Sequence, residues 1–106
     1  MQLLFYRDAA GDPRAQGDAP FEPLASFLES DVQGSAKIAR KLLRALDRVE
    51  SGKMEVWEWT GNAHTLTLAG ESASIQSEID EDAEPCLLAL PQVRQALVDW
   101  IAFLEE

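Results

Sequence analysis

The alternation of hydrophobic and polar residues in the middle of the chain predicts three β-strands. Two Gly-X pairs, Gly61-Asn62 and Gly70-Glu71, separate runs of aromatic, β-branched and apolar residues within residues 53–79. Such pairs are typical of type II′ hairpins with two-residue loops. The region therefore reads as a three-stranded antiparallel meander.

The two predicted turns fix a register in which side chains separate by polarity. The first turn places Trp59 opposite His64 and Trp57 opposite Leu66, and the second places Leu66 opposite Ile75. Because successive side chains point to opposite faces, one face carries Trp57, Trp59, Leu66, Leu68, Ala73 and Ile75. The other face carries Val56, Glu58, Thr60, Thr65, Thr67, Ser74, Gln76 and Glu78.

Apolar residues three and four positions apart predict helices on either side of the meander. A short helix follows Pro20, a longer one covers residues 35–50, and the last begins at Pro91. The buried stripe of the longer helix comprises Ile38, Leu42, Ala45, Leu46 and Val49. That of the last helix comprises Val93, Leu97, Trp100, Ile101 and Leu104. A first strand over residues 3–6 and a weak second strand over residues 14–16 precede them.

These elements predict an α+β fold, in which helices pack on one face of an antiparallel meander of three or four strands. The opposite, polar face of the sheet is expected to stay open. The chain has 106 residues, of which 46% are hydrophobic. Because this length suits one hydrophobic core, residues 1–106 are expected to form a single domain.

The formal net charge of −10 changes the picture most. Residues 37–53 hold six basic and two acidic residues, a net +4, and the rest of the chain holds three basic and seventeen acidic residues, a net −14. An acidic surface opposes direct binding to nucleic acid and to anionic membranes, and it accelerates encounter with a basic partner. The basic stripe of the longer helix (Lys37, Lys41, Arg44 and Arg48) is expected to be a solvated face rather than a phosphate site.

Five carboxylates fall within residues 78–84. This segment has three possible roles: an uncoordinated loop, a metal loop, or a docking site for Lys and Arg of a partner. It lacks the central glycine and the terminal glutamate of an EF-hand, so we expect no metal. No sequence motif predicts a cofactor.

The single histidine and the single cysteine do not form a recognisable catalytic set. His64 is expected to be packed or hydrogen-bonded, because no nucleophile is evident beside it. Cys86 is expected to be a buried, inert thiol. We therefore expect a protein that is not an enzyme. With one cysteine, no secretory signal and no bilayer-spanning run, we expect it to lie in the cytoplasm.

Part of the sequence resembles the bacterial YacL family, which is uncharacterised. The likeness rests on Trp57 and Trp59, the run Gly61-Asn62-Ala63-His64-Thr65-Leu66, Glu71, and the last helix through Phe103. The opening Phe5-Tyr6-Arg7-Asp8, followed by Gly11, is also similar. This resemblance implies the same layout of the fold and a regulatory or adaptor domain that binds another cytoplasmic protein.

The size, the acidity and the meander-plus-helix layout also resemble immunity proteins of contact-dependent growth inhibition systems (the CdiI type). Those proteins neutralise the C-terminal toxin domain of a CdiA protein, which is often a basic nuclease. The resemblance implies a cognate basic toxin as the partner, blocked at its active site or substrate cleft. The residues expected to bind it are Glu58, Glu78, Asp80, Glu81, Asp82 and Glu84.

Overall fold

The computed structural model describes residues 3–106 and has an α+β fold. The elements follow in the order β1 (Leu3–Arg7), β2 (Pro13–Gly17), a 3-10 turn (Ala19–Phe21), α1 (Glu22–Phe27), a π-helical turn (Leu28–Val32), α2 (Ala36–Glu50), β3 (Val56–Thr60), β4 (His64–Ala69), β5 (Ser72–Ser77), β6 (Cys86–Ala89) and α3 (Leu90–Leu104). The predicted helices and the first two strands are confirmed.

The main sheet has four antiparallel strands in the order β3-β4-β5-β6. The predicted meander forms its first three strands. The fourth, β6, comes from an apolar segment for which the sequence pattern predicted no strand, and it pairs Cys86 with Ile75 and Leu87 with Ser74. Strands β1 and β2 form a separate two-stranded sheet.

The register between β4 and β5 is as predicted, with Leu66 opposite Ile75 and His64 opposite Ser77. At the turn Gly70 has φ 61°, as the first position of a type II′ turn requires. This positive φ favours glycine, since a β-carbon is strained in that conformation.

The predicted register between β3 and β4 is wrong by two residues. Trp59 pairs with Leu66 rather than His64, because Thr60 is opposite Thr65 and four residues, not two, form the turn. Gly61 does not have a positive φ. Glycine is required at this position for another reason, because a β-carbon at Gly61 would collide with the carboxylate of Asp31. A shift of two residues leaves each side chain on its predicted face, because the side-chain period of a strand is two.

The three helices cover the apolar face of the main sheet, where Leu66, Leu68, Ala73 and Ile75 are buried. Ala39 is buried in α2, whereas Ile38 is only half-buried. The tryptophans were expected in the core, and Trp100 of α3 is fully buried. Trp57 and Trp59 are half-buried, so that expectation holds only in part.

The connection between α1 and α2 is held by hydrogen bonds to α3 and to the first turn of α2. Its π-helical turn ends at Gln33, which has φ 56° and ψ −145°, a strained conformation for a residue with a side chain. The indole N–H of Trp100 donates to the carbonyl of Gln33 at 2.8 Å. The side chain of Ser35 then caps α2 by accepting from the backbone N–H of Ile38. Asp31 lies in this π-helical turn.

Within residues 3–106 no helix has both the length and the apolar character needed to cross a bilayer.

Candidate functional site

The polar face of the main sheet is lined mainly by threonine, serine and alanine side chains. We call it the open sheet face, and its residues are Val56, Glu58, Thr60, Thr65, Thr67, Ala69, Ser72, Ser74, Gln76, Leu87 and Ala89. All of them are exposed or half-buried, and the helices lie on the other side of the sheet.

Three large apolar side chains are exposed on or beside the open sheet face. Leu87 on β6 is 73% exposed, Val56 on β3 is 58% exposed, and Ile79 just after β5 is 77% exposed. The first two lie on opposite edge strands. Protein-binding sites typically combine an apolar centre with a polar rim, and this face provides exposed side chains of both kinds.

Two of the predicted partner-binding carboxylates border this face. The hydroxyl of Thr65 donates to Glu78 at 2.6 Å and lies 2.8 Å from the hydroxyl of Thr60. The hydroxyl of Thr67 lies 3.5 Å from a carboxylate oxygen of Glu58, at the limit of a hydrogen bond. Both carboxylates are exposed.

The other four predicted residues lie in residues 78–84, which we call the acidic loop. Backbone N–H groups of Ile79 and Asp80 donate to the side chain of Ser77, and that of Asp82 donates to the side chain of Asp80. The loop is held to the open sheet face by the amide of Gln76, which donates to a loop carbonyl at 3.1 Å. Asp80, Glu81, Asp82 and Glu84 are all exposed.

The acidic loop therefore carries five of the six predicted carboxylates, including Glu78, but Glu58 stands apart. Glu58 lies on edge strand β3, and the loop leaves from the end of β5. Two strand spacings, about 10 Å, separate β3 from β5. The six predicted residues form a broad acidic surface rather than a compact pocket.

The electrostatic asymmetry is stronger in the fold than in the sequence. From Met54 to Val93 the chain has eight acidic residues and no Lys or Arg. This stretch contains all four strands of the main sheet and the acidic loop. The basic stripe lies on α2, which packs against the apolar face of the same sheet. The basic stripe and the open sheet face are therefore on different sides of the molecule.

Two arginines near the helices are neutralised by carboxylates. Arg94 on α3 pairs with Glu50 and with Asp47 of α2. Its hydrogen bond to Glu50 raises the pKa of Arg94 above the usual value, despite partial desolvation. Arg40 pairs with Glu105 at 2.7 Å. These ion pairs link α2 to α3 and to the residues that follow it.

Sequence reasoning missed the buried pair formed by Asp31 and His64. One oxygen of Asp31 lies 2.8 Å from Nδ1 of His64, and the other accepts the backbone N–H groups of Ala63 and His64 at 3.0 and 2.9 Å. One signal was available, because Asp31 follows Leu24, Phe27 and Leu28 at helical spacing. An acidic residue on the apolar side of a helix requires a buried partner.

His64 is hydrogen-bonded and packed, as predicted, although its partners differ from those expected. The ring of Phe27 meets it edge to face, with centroids 6.2 Å apart. Two serines, Ser26 and Ser77, line the same hollow as His64. No hydrogen bond joins either hydroxyl to the imidazole in the described part of the chain.

Cys86 is half-buried on β6, less deeply than expected. Desolvation raises the pKa of its thiol. Among residues 3–106, no three His, Cys, Asp or Glu side chains are grouped so that they could hold a metal ion.

Comparison with known proteins identifies one relationship. No curated protein and no solved structure matches the chain. No comparison supports the resemblance to immunity proteins, whereas the weaker resemblance to an uncharacterised bacterial family agrees with the match that was found. The model of the uncharacterised protein family UPF0231 matches residues 1–87. These residues include all of the acidic loop and, apart from Ala89, the whole open sheet face. The chain therefore belongs to the UPF0231 family.

Proposed function

We propose that this protein is a non-catalytic binding domain, which holds a basic segment of a partner protein against the open sheet face and the acidic loop. The observation that carries the proposal is the composition of this surface. Exposed carboxylates and exposed apolar side chains occur together on it, within a stretch that contains no Lys or Arg. Such a surface complements a partner that carries basic residues around an apolar patch.

The two kinds of side chain would contribute differently to binding. An exposed ion pair contributes only about 0.2–1 kcal/mol, so the carboxylates would act mainly by accelerating encounter. Full burial of a leucine contributes about 1.5–3 kcal/mol. Leu87, Ile79 and Val56 would therefore determine how slowly the partner dissociates.

The acidic loop is suited to this role because it is already ordered by its own hydrogen bonds. Its backbone is held by three side chains: those of Ser77 and Asp80 accept backbone N–H groups, and that of Gln76 donates to a backbone carbonyl. Ordering a free loop upon binding opposes association, since conformational entropy is lost. A loop that is ordered before binding avoids most of that cost.

A narrower form of the proposal makes the partner a basic nuclease toxin and the protein its cytoplasmic immunity protein. Its support is the acidity and the loose resemblance given above. Co-expression with the protein encoded directly upstream tests this form. Rescue of growth from a toxic upstream product supports it, and a harmless upstream product would restrict the proposal to an adaptor or regulatory domain.

Affinity capture with matched variants tests the general proposal. The test variant carries Asp80→Lys, Glu81→Lys and Asp82→Lys, and the control carries Asp12→Lys, Glu71→Lys and Glu106→Lys, three exposed acids outside the acidic loop. Both variants have the same net charge. We expect the wild type and the control to retain the same partner and the test variant to lose it. Equal retention by both variants would contradict the proposal.

A further inference from the structure

A hollow of about 410 Å³ opens beside the acidic loop, between α1 and the adjoining ends of β4 and β5. Two of the predicted carboxylates, Asp80 and Glu84, line it. Its polar side chains are those of Glu22, Ser26, His64, Ser77, Asp80 and Glu84. None of the residues that line the hollow is Lys or Arg.

The side chain of His64 is nine-tenths buried, and within residues 3–106 only one of its ring nitrogens has a hydrogen-bond partner. Nδ1 is bonded to Asp31, whose carboxylate also accepts two backbone N–H groups. Among the described residues, every side-chain nitrogen or oxygen shielded from solvent has a hydrogen-bond partner. Since no partner of Nε2 lies among them, this nitrogen is not shielded from solvent, and we infer that it is reached through the hollow that His64 lines.

The hydrogen bond to Asp31 also determines whether Nε2 donates or accepts hydrogen bonds. A carboxylate accepts, so the proton of a neutral imidazole lies on Nδ1 and Nε2 carries a lone pair. With the imidazole neutral, the hollow combines an acceptor nitrogen with the carboxylates of Glu22, Asp80 and Glu84. Its polar groups are mainly acceptors, and their charge is negative.

This set of acceptors favours an organic cation that has several N–H donors. The spacing of the side chains does not suit a metal ion, since the described residues contain no metal-binding group of three. A guanidinium group has five N–H donors in a planar fork and is more weakly hydrated than an ammonium. It can therefore donate to Nε2 and to a carboxylate at the same time.

We propose that the hollow binds the guanidinium group of an arginine side chain, with Nε2 of His64 accepting one N–H and Glu22 and Glu84 neutralising the charge. The claim that this arginine belongs to the partner's basic segment rests on the function proposed above. The claim that the hollow binds a guanidinium group is independent of it, because a small probe can test the hollow without any partner.

The test uses N-acetyl-arginine amide as the probe and the ring nitrogens of His64 as the reporter. His64 is the only histidine, so its two ¹⁵N resonances are unambiguous. We expect the Nε2 resonance to shift saturably, while the Nδ1 resonance, fixed by Asp31, moves little. Tetramethylammonium, a cation without N–H donors, should leave Nε2 unchanged.

Two pairs of substitutions test the carboxylates. Glu22→Gln with Glu84→Gln should weaken probe binding about tenfold, as expected for two lost ion pairs. Glu55→Gln with Glu71→Gln removes two exposed carboxylates outside the hollow and should leave binding unchanged. His64→Asn, which retains a donor toward Asp31 but lacks Nε2, should abolish binding, which is followed in all variants by the saturable shift of the backbone amides of Ser77 and Glu84 that line the hollow. Its fold is checked by the backbone amide spectrum.

An Nε2 resonance that does not respond to the arginine probe would overturn the inference, and so would an equal response to tetramethylammonium. These outcomes are distinct from failure of the proposed function. If the arginine probe binds and the acidic loop variant still retains the partner, the proposed function fails and the guanidinium site remains. If the probe does not bind but the loop variant loses the partner, the guanidinium site is excluded and the proposed function remains.

Discussion

Asp31 and His64, 33 positions apart in the chain, are joined by a buried hydrogen bond of 2.8 Å. This bond connects the π-helical turn after α1 to the start of β4. It also holds the imidazole of His64, which lines the hollow beside the acidic loop. The position of the candidate guanidinium site is therefore determined by a residue that does not line that hollow.

Asp31→Ala should destabilise the fold by about 3 kcal/mol, because it leaves two backbone N–H groups and the imidazole without an acceptor. Asp31→Asn should cost less, since its carbonyl oxygen still accepts. Urea denaturation monitored by tryptophan fluorescence measures both changes. Equal stability of Asp31→Ala and the wild type would show that the buried pair has no structural role.

Gly61→Ala should also be destabilising, by about 2 kcal/mol or more, because the new β-carbon collides with Asp31. Gly34→Ala is the matched control. A β-carbon at Gly34 would meet only Pro13, at an ordinary contact distance of 3.8 Å. That substitution should be neutral or stabilising by about 0.4–1 kcal/mol, through the entropy of the unfolded chain. Similar destabilisation by both substitutions would argue against the close approach of Asp31.

These two glycine positions also show what the sequence can and cannot predict. The second hairpin was predicted correctly because Gly70 needs a positive φ, which is a local property of the turn. Gly61 belongs to a similar Gly-X pair, but glycine is required there because Asp31 lies too close for a β-carbon. No local pattern encodes such a contact between distant segments. The predicted register therefore failed at the first turn and held at the second.

The same distinction applies to the fourth strand and to the candidate site. The segment Cys86–Ala89 is too short to show alternation, and its pairing with β5 depends on how the acidic loop returns the chain to the sheet. The exposed carboxylates could be identified from composition alone. The hollow could not, because it arises where α1, β4, β5 and the acidic loop meet.

Leu87→Ser should weaken partner binding without affecting stability. Its side chain is 73% exposed, so its replacement should change the free energy of unfolding by less than about 0.5 kcal/mol. Leu4→Ser is the control, because Leu4 is 60% exposed but lies on β1, outside the main sheet. Faster dissociation of the captured partner from the Leu87 variant alone is the expected result. Faster dissociation from the Leu4 variant alone would place the contact on the other sheet.

The thiol of Cys86 should react slowly with iodoacetamide in the folded protein. Burial raises its pKa, and only the thiolate reacts, so less of the reactive form is present at a given pH. The rate should increase with pH over a range higher than that of the unfolded chain in urea. Cys86 is the only cysteine, so the total thiol signal reports on it alone. Equal rates in the folded and unfolded chains would contradict the burial of this side chain.

Hydrogen exchange of the backbone amides, compared between the free protein and its complex with the captured partner, tests the central claim most directly. We expect binding to slow exchange in residues 78–84 and in β6, with little change in α2. Protection confined to α2, where the basic stripe lies, would contradict the account and would assign binding to the opposite side of the molecule.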